Sequence, residues 1–241
     1  FNIAGNHTMN FTQATFKTTA SGNVSFSGVT FETDGNRAMD FSLTTFETTS
    51  DGRVDFVDTT FKTEGNLEFV NATFRTSGDG DVVFKNSTFE NESNQRVNFS
   101  QAAFVTDGYG DVDFGDTIFE TEGNVSFETA TFKTNDDGDV GFECATFETT
   151  GNGYVGFQDA AFKTVGDGNL DFGGATFRTA TDGNVTFEGA TFVTDGDGTV
   201  LFRDVDFIAR TDFSDVVIAP LAMLSFRDSE FHGEFIFGAT Q

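Results

Sequence analysis

The side chains with chemistry to offer are overwhelmingly carboxylates. Thirty-nine Asp and Glu stand against 13 Lys and Arg, giving a formal net charge of −26 at pH 7. Some of them fall in four glycine-rich runs: SGDGDV (77–82), NDDGDV (135–140), VGDGNL (165–170) and TDGDGT (194–199). Ca2+ takes about six to eight oxygen ligands, and stacked loops can present carboxylates and carbonyls together. Asp79, Asp81, Asp137, Asp139, Asp167, Asp195 and Asp197 are therefore candidate Ca2+ ligands, the one cofactor the sequence admits. Their spacing fits neither the EF-hand loop nor the Ca2+-binding β-roll nonapeptide, and a solvated acidic turn accounts for them more simply.

Other chemistry is sparse. His7 and His232 are the only histidines and lie near opposite ends of the chain, so no His-centred pair or metal cluster is expected. Cys144 is the only cysteine, which rules out an intrachain disulfide; it reads as a small filler between strands. The carboxylates are spread rather than gathered, and the expectation is a non-enzymatic protein. Asn-x-Ser/Thr sequons at Asn6, Asn10, Asn23, Asn71, Asn86, Asn91, Asn98, Asn124 and Asn184 are candidate glycosylation sites and favour an exported glycoprotein, extracellular or at the cell surface. So acidic a surface repels nucleic acid and anionic membranes and suits cations, basic partners or a halophilic setting. No stretch approaches the ~18 apolar residues of a membrane helix, so no membrane insertion is expected in this segment. Residue 1 is Phe, which suggests a mature or cut-out segment.

The elements that must position these residues follow from an internal repeat. Phenylalanines fall in pairs five apart, Phe11/Phe16, Phe26/Phe31, Phe41/Phe46 and onward, recurring every 15 residues. Two intervals shrink to 13, between Phe56 and Phe69 and between Phe114 and Phe127, each time in the polar segment between pairs. Two residues before the first Phe sits an aliphatic (Val24, Met39, Val54, Leu67); two before the second sits a small or β-branched residue (Ala14, Val29, Thr44, Ala72). A spacing of two keeps side chains on one face of a strand. Each repeat therefore offers two short strands with Phe turned inward, and stacking rungs about 4.8 Å apart would join them into parallel sheets. An antiparallel meander is the plain alternative, but the dipeptides between the strands are poor two-residue hairpin turns.

Three columns complete the repeat. The residue after the second Phe should face solvent, with opposite charges on neighbouring rungs, as in Glu120, Lys133, Glu148 and Lys163. The threonine after it (Thr18, Thr33, Thr48 and on) is expected to bond along the stack, and the loop glycines (Gly22, Gly52, Gly80, Gly110) to supply positive φ. The fold class is thus an all-β, parallel β-solenoid with stacked Phe ladders. Regular loop lengths favour one 15-residue repeat per rung; the alternative is a four-sided coil with two repeats per turn. Regular rungs should span 1–207, with 208–223 as an insertion loop and 224–241 as a further rung, the array continuing beyond both ends.

FGGATF (172–177) and FEGATF (187–192) carry the pattern Phe-x-x-Ala-Thr-Phe, which resembles the pentapeptide-repeat family, with Val24, Phe26, Val29 and Phe31 matching two such units. The resemblance implies a right-handed quadrilateral β-helix. The chain departs from it by inserting about five polar residues after every second unit, and often has Ser or Thr where the family has Asp or Asn. Two functions follow as expectations. One is a surface fibre, stalk or filament subunit that self-associates end to end by strand stacking, glycans being possible. The other, implied by acidic members of that family, is a DNA-mimic binding module that inhibits topoisomerases.

Overall fold

The computed structural model describes residues 1–3, 7–180, 183–195, 197–219 and 222–238. They form an all-β solenoid of four parallel sheets with nine, nine, eight and eight strands. We call these faces 1 to 4 in chain order, exemplified by Thr30–Thr33, Met39–Asp40, Thr45–Thr48 and Val54–Asp55. Each strand pairs with the fourth strand along, so one coil holds four strands and two repeats. Phe31 lies beside Phe61 in parallel register, with 30 residues per coil. The expected single repeat per rung is corrected, and the quadrilateral alternative holds. The reason is the core: a 15-residue coil would close on a Gly/Asp side with nothing to bury, whereas two repeats close four Phe-bearing strands on one another. Roughly eight coils at about 4.8 Å give a rod of about 40 Å.

Inward columns stack as ladders. Phe41 lies on Phe69 with centroids 4.8 Å apart and planes at 3°, and Phe46 on Phe74 at 4.9 Å and 4°. Adjacent ladders meet edge to face, as in Phe41–Phe61 at 5.7 Å and 90°, the arrangement the ring quadrupole favours. Through the middle of the rod these rings and the Val, Leu and Ala columns are fully buried. Each buried Phe contributes roughly 1.5–3 kcal/mol before chain entropy is subtracted. Where the small column holds a hydroxyl it finds a carbonyl one coil away: Thr59 Oγ1 donates to Phe26 O at 2.9 Å and Thr117 Oγ1 to Phe84 O at 2.8 Å.

The four corners are of two kinds. Faces 2 and 3, and faces 4 and 1, are joined by tight turns in which the second strand's small residue donates back to the first Phe, as Thr44 N to Phe41 O at 3.1 Å. The residue before it has positive φ: 59° at Leu43, 56° at Asp58 and at Asn71, 70° at Gly174. The residue between Val and Phe caps the turn, as Asp40 Oδ1 accepting from Ser42 N at 2.8 Å and Asp55 Oδ1 from Val57 N at 3.0 Å. The other two corners carry the inserted loops, and both shortened loops, 64–66 and 122–124, fall at the corner between faces 1 and 2.

Several column expectations change with the coil. Because partners are two repeats apart, Glu90, Glu120 and Glu148 stack on face 1, and Lys133 stacks beside Lys163 on face 3. Sign alternation along the sequence places opposite charges on opposite faces. True opposite-sign neighbours remain at Lys17–Glu47 (2.8 Å) and Lys62–Glu90 (2.9 Å). The threonines bond in two ways, and on face 1 both occur, Thr149 Oγ1 donating to Gly153 O of its own loop at 3.0 Å. On face 1, Thr33 and Thr63 share a hydrogen bond along the stack at 2.7 Å. At the corner after face 3 the hydroxyl closes its own loop, as Thr106 Oγ1 donating to Gly110 O at 2.6 Å and Thr164 Oγ1 to Gly168 O at 2.6 Å. Of the glycines of that corner Gly166 has positive φ, at 76°, but Gly22, Gly52, Gly80, Gly110 and Gly138 do not. The last four are required because a Cβ on Gly52, Gly80, Gly110 or Gly138 would overlap the carbonyl oxygen of the glycine one coil away.

Segment 208–223, read from sequence as an insertion loop, carries Arg210–Ser214 on face 2 and Val217–Ile218 on face 3. Thr211 stands in the Val185 position and Ile218 in the Phe192 position. The Phe spacing is lost there because these residues replace the usual ones and the final coil sheds its loops, shrinking to 24 residues.

Candidate functional site: an acidic corner and two open ends

The seven candidate Ca2+ ligands, scattered in sequence, all lie at the corner between faces 3 and 4. Asp79, Asp137, Asp139, Asp167, Asp195 and Asp197 are exposed and Asp81 is half-buried. Five of these carboxylates, those of Asp79, Asp81, Asp137, Asp139 and Asp167, join that of Asp111 in two ladders that cap backbone amides one coil along. Asp137 Oδ1 accepts from Asp167 N at 3.1 Å and Asp167 Oδ1 from Asp197 N at 3.2 Å. Asp81 Oδ1 accepts from Asp111 N at 3.0 Å, Asp111 Oδ1 from Asp139 N at 2.8 Å, and Asp139 Oδ1 from Asn169 N at 2.6 Å. Among the described residues no three His, Cys, Asp or Glu side chains gather to hold a metal ion. The ladders give the Gly-Asp loops a structural role: each loop supplies the acceptor that the next loop's unpaired amide needs.

Lost water, and after it the crowding of like charge, shifts two carboxyls. Asp111 and Glu143 keep contact with solvent, yet surrounding loops strip enough water from each to raise its pKa. Neighbouring carboxylates, Asp139, Asp81 and Asp113 for Asp111, and Asp171, Asp113 and Asp139 for Glu143, push the same way. Both residues line a hollow of about 250 Å³ on face 4 together with Lys85 and Cys144. Cys144 is exposed and occupies a positive-φ turn position at 56°, so it fills no interior space. Of the histidines, His7 is exposed in the first coil. His232, in the last coil, lies 3.1 Å from Asp206 and 3.3 Å from Glu230.

The corner between faces 1 and 2 holds a polar notch of about 360 Å³, where short loop 122–124 leaves space beside loop 92–96; Asn66, Asn94, Gln95, Arg96, Gly123 and Asn124 line it. Arg96 Nε reaches the nearly buried Glu68 at 2.8 Å, and Asn98 Nδ2 donates to the same carboxylate at 2.9 Å. Close by, Tyr154 OH donates to Glu128 at 2.7 Å. Burial, then this bond, push the Tyr154 pKa up to about 12. The signal for this notch was the pair of 13-residue intervals, whose shared corner becomes visible only once the coil size is known.

The sequons separate by burial. Asn91 and Asn98 are buried, with Nδ2 donating to Gly65 O and Glu68 respectively. Asn124 and Asn184 are half-buried, whereas Asn10, Asn23, Asn71 and Asn86 are exposed. Asn6 lies outside the described residues.

The two ends of the rod differ from its middle. Phe1 stacks on Phe31 at 5.3 Å but is 69% exposed. At the other end Phe235 and Phe237 are 39% and 53% exposed. With Ile218, Leu224 and Phe226 they line an apolar hollow of about 310 Å³. Among the described residues, the outermost strands at both ends also have one edge of backbone amides and carbonyls without a neighbouring rung. Compared with known proteins, the chain matches no family model and no curated sequence.

Proposed function

We propose that this chain is a non-enzymatic, exported structural rod: a cell-surface fibre, stalk or filament subunit that lengthens by end-to-end strand stacking. The observation that carries the reading is the contrast between a fully buried Phe ladder and ladder-type residues exposed at each end beside unpaired strand edges. Such edges template further strands. The four-sided coil with four Phe-bearing strands also supports kinship with pentapeptide-repeat proteins, and the exposed sequons Asn10, Asn23, Asn71 and Asn86 support an exported glycoprotein. Sedimentation and electron microscopy of the purified chain over a wide concentration range test this. Rods several subunits long are expected, and monomers persisting at the highest concentration would refute the assembly.

A second reading rests on the acidic rows, the Asp ladders of the corner between faces 3 and 4 and the Glu90, Glu120 and Glu148 stack on face 1. Rows of negative charge on a rod fit a duplex-DNA mimic that occupies a basic DNA-binding groove. A gyrase supercoiling assay separates the two, since a structural rod leaves supercoiling unchanged.

A further inference from the structure

We infer that rods of this protein pack side by side, the acidic face 1 of one copy docking on face 3 of a second copy with the two axes antiparallel. The contact uses the middle of the rod's sides and is independent of end-to-end stacking. Faces 1 and 3 lie on opposite sides of the four-sided coil, and each is a parallel sheet that turns two columns of side chains outward. On both, the column before the ladder Phe is mostly Thr or Ala, and the column after it carries the charge. On face 1 the charged column reads Lys62, Glu90, Glu120, Glu148 and Arg178 in successive coils. On face 3 it reads Arg75, Val105, Lys133, Lys163 and Val193. One side of the rod thus carries three adjacent carboxylates and the opposite side two adjacent ammonium groups, each row repelling itself. Lys62 and Arg178 reach Glu90 and Glu148 at 2.9 and 3.8 Å. Glu120, Lys133 and Lys163 have no ion pair or side-chain hydrogen bond among the described residues. In a chain with only 13 basic residues against 39 acidic ones, two neighbouring lysines without an acidic partner are not explained by pairing within the rod.

Charge complementarity between the two faces selects a second copy as the occupant, and it also selects the orientation. Strands on opposite sides of one coil run in opposite directions. If two rods lay with axes parallel, the Glu column of one would therefore face the Thr/Ala column of the other. Reversing one axis brings the Glu column onto the Lys column and the small column onto the small column. Within that orientation one register satisfies the charges: Glu120 opposite Lys163 and Glu148 opposite Lys133. Glu90 then faces Val193, Arg178 faces Val105, and Ile118, 41% exposed, faces Ala161. A slip of one coil sets Arg178 on Arg75 in one direction and on Lys133 in the other, and like charges so placed reject both. The docked copy keeps its own face 1 free on the far side, so the contact is heterologous and open, and repeats into a raft of rods in alternating directions. Each contact is only two columns wide and belongs to the weak class. The net charge of −26 opposes it at low salt. At 0.15 M salt, with a Debye length of about 8 Å, the distant repulsion is screened while the contact pairs are within range.

Zero-length carbodiimide cross-linking of the concentrated protein in 0.15 M salt, with peptide mapping of the multimers, tests the contact. Faces 1 and 3 of one rod point away from each other, so an amide between their Lys and Glu side chains must join two copies. Links Lys163–Glu120 and Lys133–Glu148 are expected. Links Lys133–Glu120 and Lys163–Glu148 together overturn the antiparallel register, and multimers with no link between the two faces, or monomers alone, overturn the docking. Two variants separate the contact from folding. Glu120→Lys sets a new ammonium between Glu90 and Glu148, which the rod tolerates, but sets it against Lys163 of the neighbouring copy. The Lys133–Glu148 link should then fall at least about tenfold while circular dichroism stays that of the parent. Glu120→Lys/Lys163→Glu should restore that link. A Lys133–Glu148 link as strong in Glu120→Lys as in the parent, or one not recovered in the double variant, overturns the proposal. End-to-end stacking is untouched by any of these outcomes, because the substituted residues lie in the middle coils.

Discussion

Gly52, Gly80, Gly110 and Gly138 each press their Cα against the carbonyl oxygen of the glycine in the neighbouring coil, while threonines such as Thr48 and Thr106 donate to the carbonyl of their own loop's glycine. The pairing fixes how tightly the corner can close. Gly110→Ala places a methyl group on the Gly80 carbonyl, where its nearest neighbours are all backbone atoms, so the corner must splay. We expect a loss of about 1–3 kcal/mol, the usual penalty of overpacking, measured by urea unfolding. Gly115→Ala, whose nearest neighbour is the Asp113 side chain rather than backbone, should cost less. The need for glycine was legible in the sequence, but its cause was not: close approach across coils depends on which loop lies beside which, and that awaited the coil size.

At the scale of strands and faces, the coil decides which charges meet. Glu120 stands between Glu90 and Glu148 on face 1. Glu120→Lys should raise stability by roughly 0.2–1 kcal/mol, a gain that shrinks as salt screens the column; thermal melts at low and high salt check this. Strand positions, inward columns and the parallel stack could all be read from Val-x-Phe and Ala-Thr-Phe spacing, because burial imposes period two whatever the coil. One repeat against two could not be separated by loop regularity, since both coils repeat every 15 residues along the chain. What separates them is the need to bury every side of the coil, a need that the polar TDGDG segments would have left unmet. Segment 208–223 escaped for a local reason: Thr211 and Ile218 hold ladder positions without being Val and Phe. The acidic corner followed the same course as the glycines. Its seven aspartates were visible one by one; their gathering at one corner, five of them as amide caps, was not.

For the whole molecule, the governing quantity is a net charge of −26 on a rod of about 40 Å. Asp111 and Glu143 have pKa values raised in the folded state, so the unfolded chain binds fewer protons there near neutral pH. Their contribution to stability is fully present below the ordinary carboxylate range and is lost as pH rises through their raised values. Melting temperature should therefore climb as pH falls from 7 toward about 5. The double variant Asp111→Asn/Glu143→Gln should flatten that slope in calorimetric scans. Glu92, whose pKa hydrogen bonding to Lys62 lowers, works in the opposite sense only at lower pH. The parallel stack has a mechanical meaning too. Its inter-rung hydrogen bonds point along the rod, so tension applied at the ends would peel coils one at a time instead of shearing whole sheets at once. Each full-length coil released frees 30 residues, about 100 Å of extended chain in exchange for about 4.8 Å of rod. Under load such a rod would act as a spool, lengthening in steps and dissipating work with each one.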